Sequence, residues 1–226
     1  MKLYIGNKNY SSWSMRPWVL MREFAIDFEE VMVRFDGFDA DSRFKQVVGA
    51  VTPAGRVPVL MDGDLAVWDT LAIAEYLAER FPEKALWPRD PKSRARARSV
   101  CAEMHSGFSA LRSAFPRTIE ASLPQIGEQV LRERPEVRAD LRRICHMWSD
   151  LLRAHGGPML MDSFCVADAF YAPVVMRIKT YALPVPAEVQ AYMDRVLNLR
   201  SVQAWVQGAL AEQDFLGFEE PYRLSR

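Results

Sequence analysis

The chain has 226 residues, half of them hydrophobic and 26% charged, which is enough for one large or two small globular domains. Its 29 basic and 29 acidic residues give a formal net charge of zero, so there is no strong electrostatic case for binding nucleic acid or an anionic membrane surface. No hydrophobic run reaches membrane-spanning length. Three widely spaced cysteines indicate a reduced cytoplasmic protein without a disulfide framework or a metal site: Cys101, Cys145 and Cys165.

The first part of the chain alternates strand and helix patterns. Residues 2–6 and 28–34 are predicted as short strands, and the first of them is not typical of a signal peptide. A helix is predicted around Pro17, because proline suits the first turn, where its missing N–H is not needed. Ser11 and Ser12 are therefore expected in a loop or cap just before that helix.

The clearest local signals lie between residues 55 and 77. A short apolar run with Pro58 near its start is followed by Asp62-Gly63, a dipeptide typical of a two-residue hairpin turn. A helix is predicted to begin at Asp69-Thr70, because both residue types are good N-caps. With a weak helix within residues 36–52, the pattern permits the order β-α-β-α-β-β-α.

The second part of the chain is helical in pattern. Residues 81–91 contain three prolines and little periodicity, which predicts a linker. Beyond it, apolar residues recur at helical spacing, as in Val100, Met104, Phe108 and Leu111. No strand-like alternation occurs there, so an all-α helical bundle is predicted.

The residues around Pro58 and Asp69 suggest a peptide-binding site. A proline in this position indicates a sheet edge, a strand start or a cis bond. Each would leave the backbone N–H and C=O of Val57 free to pair with an extended peptide. The helix that begins at Asp69-Thr70 offers free N–H groups to a carboxylate, and Asp69 can pair with an amine. The alternative interpretation is an ordinary hairpin followed by a capped helix.

The segment Arg56–Leu60, followed by Asp69-Thr70 and Tyr76-Leu77, resembles the glutathione-binding half of cytosolic glutathione transferases. The resemblance implies an α/β thioredoxin-like domain (βαβαββα) at residues 1–80, a linker at 81–91 and an all-α domain at 92–226.

In that family a cis-proline turn, here Val57-Pro58, pairs with the cysteine backbone of glutathione. An acid-plus-serine pair binds the γ-glutamyl end, and here the pair is Asp69-Thr70 instead of Glu-Ser. The resemblance further suggests three candidates for the glycyl carboxylate, namely Lys45, Gln46 and Arg56.

The segment Ser11–Arg16 is similar to the Ser-Ser-Cys-Ser-x-Arg signature of zeta-class transferases. Trp13 stands where that class has cysteine, which argues against zeta-class isomerase activity, and Arg16 is expected to be structural. The match makes Ser11 the first candidate to stabilise the glutathione thiolate and Ser12 the alternative, with Trp13 beside the bound tripeptide. A role of the serines as helix caps alone is the other interpretation.

The energies permit this serine chemistry. Lowering a thiol pKa from about 8.5 by about two units needs roughly 2.7 kcal/mol. One hydrogen bond to a charged group contributes about 1.5–3 kcal/mol, and a helix N-terminus adds about 0.3–1 kcal/mol. A serine hydroxyl can therefore activate bound glutathione without a covalent step.

The first helix of the second domain carries the other candidate residues. In the family this helix faces the glutathione sulfur and lines the electrophile pocket, so His105, Phe108 and Arg112 are expected to contact the second substrate. A hydrogen-bonded role for His105 at the domain interface is the alternative, and for Phe108, as for Trp13, a position in the hydrophobic core is an equal alternative to one in an apolar pocket.

We therefore expect a cytoplasmic, homodimeric glutathione transferase that uses glutathione as co-substrate and attacks a small electrophile. No metal, nucleic acid or membrane partner is expected. Two alternatives stay open: a glutathione-dependent isomerase or dehalogenase on the same fold, and a non-catalytic glutathione-binding or interaction protein. The sequence does not predict the electrophile, because its pocket is built from variable helical positions.

Overall fold

The computed structural model describes all 226 residues and begins with a four-stranded mixed sheet in the order β2-β1-β3-β4. The strands are β1 (Lys2–Ile5), β2 (Glu29–Met32), β3 (Val59–Asp62) and β4 (Leu65–Trp68), and the helices between and after them are α1 (Ser12–Glu23), α2 (Arg43–Gly49) and α3 (Thr70–Arg80). β1 is parallel to β2, which requires the α1 crossover, and β3 is antiparallel to β1 and β4. The predicted thioredoxin-like βαβαββα order is confirmed.

Seven helices follow: α4 (Pro91–Ser106), α5 (Ser109–Ala114), α6 (Pro124–Glu133), α7 (Pro135–His155), α8 (Val166–Thr180), α9 (Ala187–Leu197) and α10 (Arg200–Glu212). Apart from two isolated β-bridges between residues 159 and 163, this part contains no strand, so the all-α prediction is also confirmed. None of the ten helices combines the length and hydropathy needed to cross a bilayer.

The central helix of the second part is α8, which is buried along nearly its whole length and packs against α1, α4 and α9. Asp168 fixes its first turn, because its carboxylate accepts hydrogen bonds from the Leu160 and Cys165 N–H groups and from the Tyr192 hydroxyl. Burial raises the pKa of Asp168 to about 6. Arg177 lies in the last turn of α8. Because α8 packs against α1, the guanidinium of Arg177 reaches Ser12 at the start of α1.

The two faces of the sheet belong to different hydrophobic cores. Leu3 and Leu60 point into the main core, which contains 53 buried residues and continues through the helical part. Val59 belongs to a smaller cluster of six buried residues, and Tyr4 packs against it. This division follows from the alternation of side chains along a strand.

The start of α1 differs from the prediction by one turn. Ser11 is the N-cap and its Oγ accepts from the Ser14 N–H at 3.3 Å, so Ser12 is already helical. Pro17 lies inside the helix rather than in its first turn. The serine cap was the stronger start signal, because its oxygen satisfies an N–H that the helix itself leaves unpaired.

The hairpin turn lies one residue later than predicted. Asp62 pairs with Leu65, so Gly63 and Asp64 form the loop, and only Gly63 has a positive φ, +62°. Asp62 instead ends β3 and accepts a hydrogen bond from the Tyr76 hydroxyl at 2.7 Å. This contact ties the hairpin to α3.

Candidate active site

Two adjoining cavities open where the start of α1 and the loop before β3 face the helical part. The first, the Asp69 cavity, has a volume of about 410 Å³ and is lined by Trp13, Ala54, Arg56, Val57, Pro58, Trp68, Asp69, Thr70, His105 and Arg112. The second, the arginine cavity, has a volume of about 570 Å³ and is lined by Tyr10, Ser11, Ser12, Trp13, Phe35, Phe38, Phe44, Lys45, Arg56, Val57, Arg112, Pro116, Arg117, Arg177 and Glu219. Four residues line both cavities: Trp13, Arg56, Val57 and Arg112.

Val57 presents free backbone groups at the junction of the cavities. The peptide bond between Val57 and Pro58 is cis, and the sheet ladder begins only at Val59. Neither the N–H nor the C=O of Val57 has a hydrogen-bond partner within the protein. Because Val57 lines both cavities, an extended peptide can pair with it there.

The N-terminus of α3 opens into the Asp69 cavity. Asp69 is its N-cap, with φ +72° and Oδ1 accepting from the Leu71 N–H at 3.1 Å. Thr70 is buried, and its Oγ1 accepts from Arg16 at 3.4 Å. The helix start offers unpaired N–H groups and a positive dipole end to a carboxylate, while Asp69 offers a negative charge beside them.

His105 lines the Asp69 cavity and not the arginine cavity. Its Nδ1 lies 3.4 Å from Asp69 Oδ1, and its ring meets the Trp13 ring edge-on at 5.1 Å between centroids. The side chain of His105 therefore meets the first turn of α3, at the interface between the two parts of the chain. Contact of His105 with the second substrate stays a prediction. Arg112, predicted beside it, lines both cavities.

Phe108 lies outside both cavities, so of its two expected positions, the substrate pocket and the core, it occupies the core. It is only 7% exposed and belongs to the main core. The prediction assumed one continuous helix through residues 100–111, but α4 ends at Ser106 and Gly107 caps it. Phe108 then adopts a positive φ of +55° at the start of α5, which turns its ring inward.

The predicted carboxylate-binding residues divide into two groups. Lys45 lines the arginine cavity and donates to the Gly55 carbonyl at 2.9 Å, and Arg56 lines both cavities. Gln46 is exposed, lines neither cavity and donates to the Asp41 carbonyl at 3.0 Å. Consecutive helical residues point about 100° apart, and here only Lys45 is turned toward the site.

The two serines at the start of α1 have different hydrogen-bond partners. Ser11 is 6% exposed, and its Oγ accepts from the Ser14 N–H and donates to Ser14 Oγ at 2.7 Å. Ser12 Oγ accepts from the Arg177 guanidinium at 3.0 Å and donates to no protein atom. Both serines line the arginine cavity, but only the Ser12 hydroxyl has a proton without an acceptor.

The arginine cavity has an excess of positive charge. Five cationic side chains line it, and none of them forms a salt bridge: Lys45, Arg56, Arg112, Arg117 and Arg177. Glu219 is the single carboxylate in the lining, and burial raises its pKa. An anion that enters this cavity therefore meets cations whose charge the protein has not already paired.

Two of these arginines are deeply buried. Arg177 donates to the Phe115 carbonyl at 2.8 Å as well as to Ser12, and burial lowers its pKa to about 10. Arg117 donates to the Lys8 carbonyl, its Nε has no partner, and burial lowers its pKa well below the usual range. Neither residue is predicted as a site residue from the sequence. A charged residue inside the apolar pattern of α8 was the one available signal for Arg177.

Trp13 separates the two cavities. The guanidinium of Arg16 lies 4.2 Å from the centre of its ring and that of Arg112 lies 5.0 Å from it, so two cation–π contacts fix the indole. Arg16 is buried, and burial lowers its pKa to about 9. The indole of Trp13 is thereby held in place at the junction of the two cavities, which Val57 also lines.

Residues 10–80 match the family model described as the glutathione S-transferase N-terminal domain. Over 78% of this chain and 76% of the relative, the sequence is 29% identical to glutathione S-transferase 1 of Dianthus caryophyllus. It is 34% identical to maleylacetoacetate isomerase of Pseudomonas aeruginosa, over 50% of this chain and 53% of the relative, so this match spans about half of that protein.

A solved structure extends the similarity to the whole fold. A glutathione transferase homolog from Burkholderia, crystallised with bound glutathione, has a TM-score of 0.63 and 26% sequence identity to this chain. The superposition covers 93% of this chain and 97% of that one. The likeness therefore includes the sheet and the helices that enclose both cavities.

Proposed function

The chain belongs to the glutathione S-transferase family, and we propose that it conjugates glutathione to a small, anion-bearing electrophile with the help of a serine hydroxyl at the start of α1. The observation that carries this proposal is the junction at Val57 and Trp13, where a cavity suited to a zwitterion meets a cavity lined by unpaired cations.

The γ-glutamyl end of glutathione carries both an ammonium and a carboxylate. The Asp69 cavity offers a carboxylate for the first and the N-terminus of α3 with Thr70 for the second. The free N–H and C=O of Val57 are suited to the cysteinyl backbone. Lys45 and Arg56 are then left for the glycyl carboxylate, and Gln46 is not part of the proposal.

The thiolate is proposed to lie on the arginine side of Val57, near Ser11 and Ser12. Resemblance to the zeta class favours Ser11. The hydrogen bonds of the two hydroxyls favour Ser12, because its proton has no acceptor within the protein, whereas Ser11 donates to Ser14. Arg177 supports Ser12 in this role, because its donated hydrogen bond occupies the acceptor side of the hydroxyl and leaves the proton free for the sulfur. The positive field of Arg177 also stabilises a nearby anion.

The second substrate is proposed to occupy the arginine cavity and to carry a carboxylate. Buried guanidiniums without a carboxylate partner destabilise a fold, so their presence in a cavity favours a binding role. Phe35, Phe38 and Pro116 in the same lining are suited to an apolar or aromatic body.

Two broader properties belong to this proposal. Leu65 and Trp68, on opposite faces of the edge strand β4, are 47% and 42% exposed, and an edge strand with exposed apolar side chains is suited to pairing with a second copy of the chain as a homodimer. The three cysteines are free and buried, which supports a reducing compartment such as the cytoplasm. Light scattering of the purified protein measures its molar mass and so tests the homodimer.

The test compares Ser11→Ala and Ser12→Ala in the conjugation of glutathione to an aryl chloride, chlorodinitrobenzene, and to a chloronitrobenzoate that carries a carboxylate. Loss of the thiolate hydrogen bond, worth about 1.5–3 kcal/mol, is expected to lower kcat/KM by about 10–100-fold in one of the two variants. The pKa of enzyme-bound glutathione, measured by thiolate absorbance, is expected to rise in the same variant.

Ser99→Ala, at an exposed position of α4, is the matched control. Unchanged kcat/KM and thiol pKa in both Ser11→Ala and Ser12→Ala would contradict the serine mechanism. A wild-type protein that shows no binding of glutathione in calorimetry would instead favour an interaction protein that has kept the fold.

A second candidate function is glutathione-dependent isomerisation of a dicarboxylate. The similarity to a protein named maleylacetoacetate isomerase favours it, as does the cationic cavity, whereas Trp13 in place of the zeta-class cysteine argues against it. Isomerisation consumes no glutathione, while conjugation consumes one molecule for each product. Measuring glutathione consumption with a maleyl-type diacid therefore separates the two, and halide release from a haloacid tests dehalogenation.

A further inference from the structure

His105 belongs to the helical part of the chain, yet its side chain faces the first turn of α3. Its Nδ1 lies 3.4 Å from Asp69 Oδ1 and is buried without a hydrogen-bond partner of good geometry. The Asp69 side chain is 47% exposed and that of His105 is 28% exposed, so the pair lies at the surface of the Asp69 cavity. A bound molecule in that cavity would contact both residues.

The two oxygens of the Asp69 carboxylate are not equivalent. Oδ1 accepts from the Leu71 N–H at 3.1 Å and also faces His105. Oδ2 has no partner within the protein. The carboxylate is thus held on one side by its own helix, with His105 of the helical domain facing that side, and its other oxygen is free to accept from a ligand.

The position of His105 is itself fixed by its neighbours. Arg112 donates to the carbonyl oxygens of His105 at 3.4 Å and Gly107 at 3.3 Å, which holds the last turn of α4. Trp13 packs edge-on against the imidazole and is in turn held between Arg16 and Arg112. These contacts limit rotation of the His105 ring before any ligand arrives.

We propose that His105 is a positioning residue for the γ-glutamyl ammonium of glutathione. It holds Asp69 through Oδ1, so that Oδ2 is oriented to accept from the ammonium. This inference rests on the proposed function and replaces the expectation that His105 contacts the electrophile. The binding site for the amine is consequently built by both domains of one chain: the first supplies the charge and the second fixes its direction.

The test uses His105→Ala, His105→Asn and His105→Gln, with glutathione and with a glutathione analogue whose ammonium is replaced by hydrogen. The amide nitrogen of asparagine stands as many bonds from Cα as Nδ1 does, whereas that of glutamine is one bond farther. We expect the KM for glutathione to rise about five- to tenfold in His105→Ala and His105→Gln, by the net energy of an ordinary hydrogen bond, since His105 acts on the ammonium only through Asp69. In His105→Asn the KM is expected to return to within about twofold of wild type.

The kcat and the KM for the electrophile are expected to stay unchanged, and the KM for the analogue is expected to be the same in wild type and His105→Ala. A general loss of structure would alter all of these values together. His146→Ala is the matched control, because His146 is 69% exposed on α7 and contacts neither cavity.

An unchanged KM for glutathione in His105→Ala overturns the inference, and so does a change that appears in kcat or in the KM for the electrophile. Equal effects on glutathione and on the analogue also overturn it. Calorimetry with the wild-type protein separates this failure from failure of the proposed function: absent glutathione binding overturns both, whereas binding that His105→Ala does not weaken overturns only the role of His105.

Discussion

The two cavities beside Trp13 are built in different ways. Most of the Asp69 cavity comes from one continuous stretch, residues 54–70, and its binding groups are largely backbone atoms and a helix N-terminus. The arginine cavity collects side chains from separate segments, with Ser12, Lys45, Arg117, Arg177 and Glu219 each on a different one. A ligand that stays the same can be bound by local backbone geometry, whereas a substrate that differs between related proteins is bound by side chains that can change independently.

The cavities also differ in their charge balance. In the Asp69 cavity the carboxylate of Asp69 is accompanied by Arg56, His105 and Arg112, which suits a zwitterionic end group. In the arginine cavity Glu219 faces five cations. Burial lowers the pKa values of Arg117 and Arg177, so the fold itself opposes these charges. Their presence in the cavity lining is the basis of the proposal that the second substrate carries a negative charge.

The largest effect is expected from Asp69→Asn. Asparagine caps a helix as well as aspartate does and tolerates a positive φ, so the variant removes the charge and keeps the structure. Loss of the ion pair to the γ-glutamyl ammonium, worth about 1.5–3 kcal/mol, should raise the KM for glutathione by about 10–100-fold and leave the KM for the electrophile unchanged. Steady-state kinetics measure both, with Asp64→Asn in the hairpin as control. Equal rises in the KM for glutathione and the KM for the electrophile would contradict the proposal that the two substrates occupy different cavities.

Arg117→Met is expected to have a smaller effect on kinetics: it should weaken binding of the anionic substrate and at the same time stabilise the fold. Removing a buried and unpaired charge while keeping the side-chain volume should raise the free energy of unfolding by about 1 kcal/mol. The Lys8 carbonyl keeps the donor from Trp205, at 3.0 Å. The KM for chloronitrobenzoate should rise about tenfold, by the same energies of charge-assisted hydrogen bonds, and that for chlorodinitrobenzene should stay constant.

Urea unfolding and steady-state kinetics measure these two changes, and Arg96→Met on the exposed face of α4 is the control. Lower stability together with an unchanged KM would show that Arg117 serves the fold and not the substrate.

The smallest effect is expected from Glu219→Gln. The variant removes the one negative charge in the arginine cavity, so at pH 8 the KM for an anionic electrophile should fall about two- to fivefold, by roughly 0.5–1 kcal/mol of screened repulsion. Burial raises the pKa of Glu219, and the carboxyl becomes neutral as the pH falls through that value. The KM values of wild type and variant for the anionic electrophile should therefore converge as the pH is lowered. A ratio of the two KM values that stays constant as the pH is lowered from 8 through the pKa of Glu219 would exclude a charge effect.

Much of the Asp69 cavity could be predicted because its signals are local. Val57-Pro58 and the capping pair Asp69-Thr70 are each defined by a few neighbouring residues. The same holds for the serines at the start of α1, which line the arginine cavity. Errors within these signals were small, as with the hairpin loop at Gly63-Asp64. A turn or a cap is decided by the conformational preferences of the residues in it, so a short sequence contains the information.

The arginine cavity and the orientation of side chains were decided by the tertiary structure. Ser12 and Arg177 are hydrogen-bonded although they lie 165 residues apart, and no sequence period relates them. Phe108 was expected in the substrate pocket or in the core, and the end of α4 at Ser106 turned it into the core. The sequence by itself determined the order of elements, the helix caps and the free backbone at Val57. Which charges share a cavity followed only from the tertiary packing, of which the packing of α8 against α1 is one part, because packing joins residues that local preferences cannot relate.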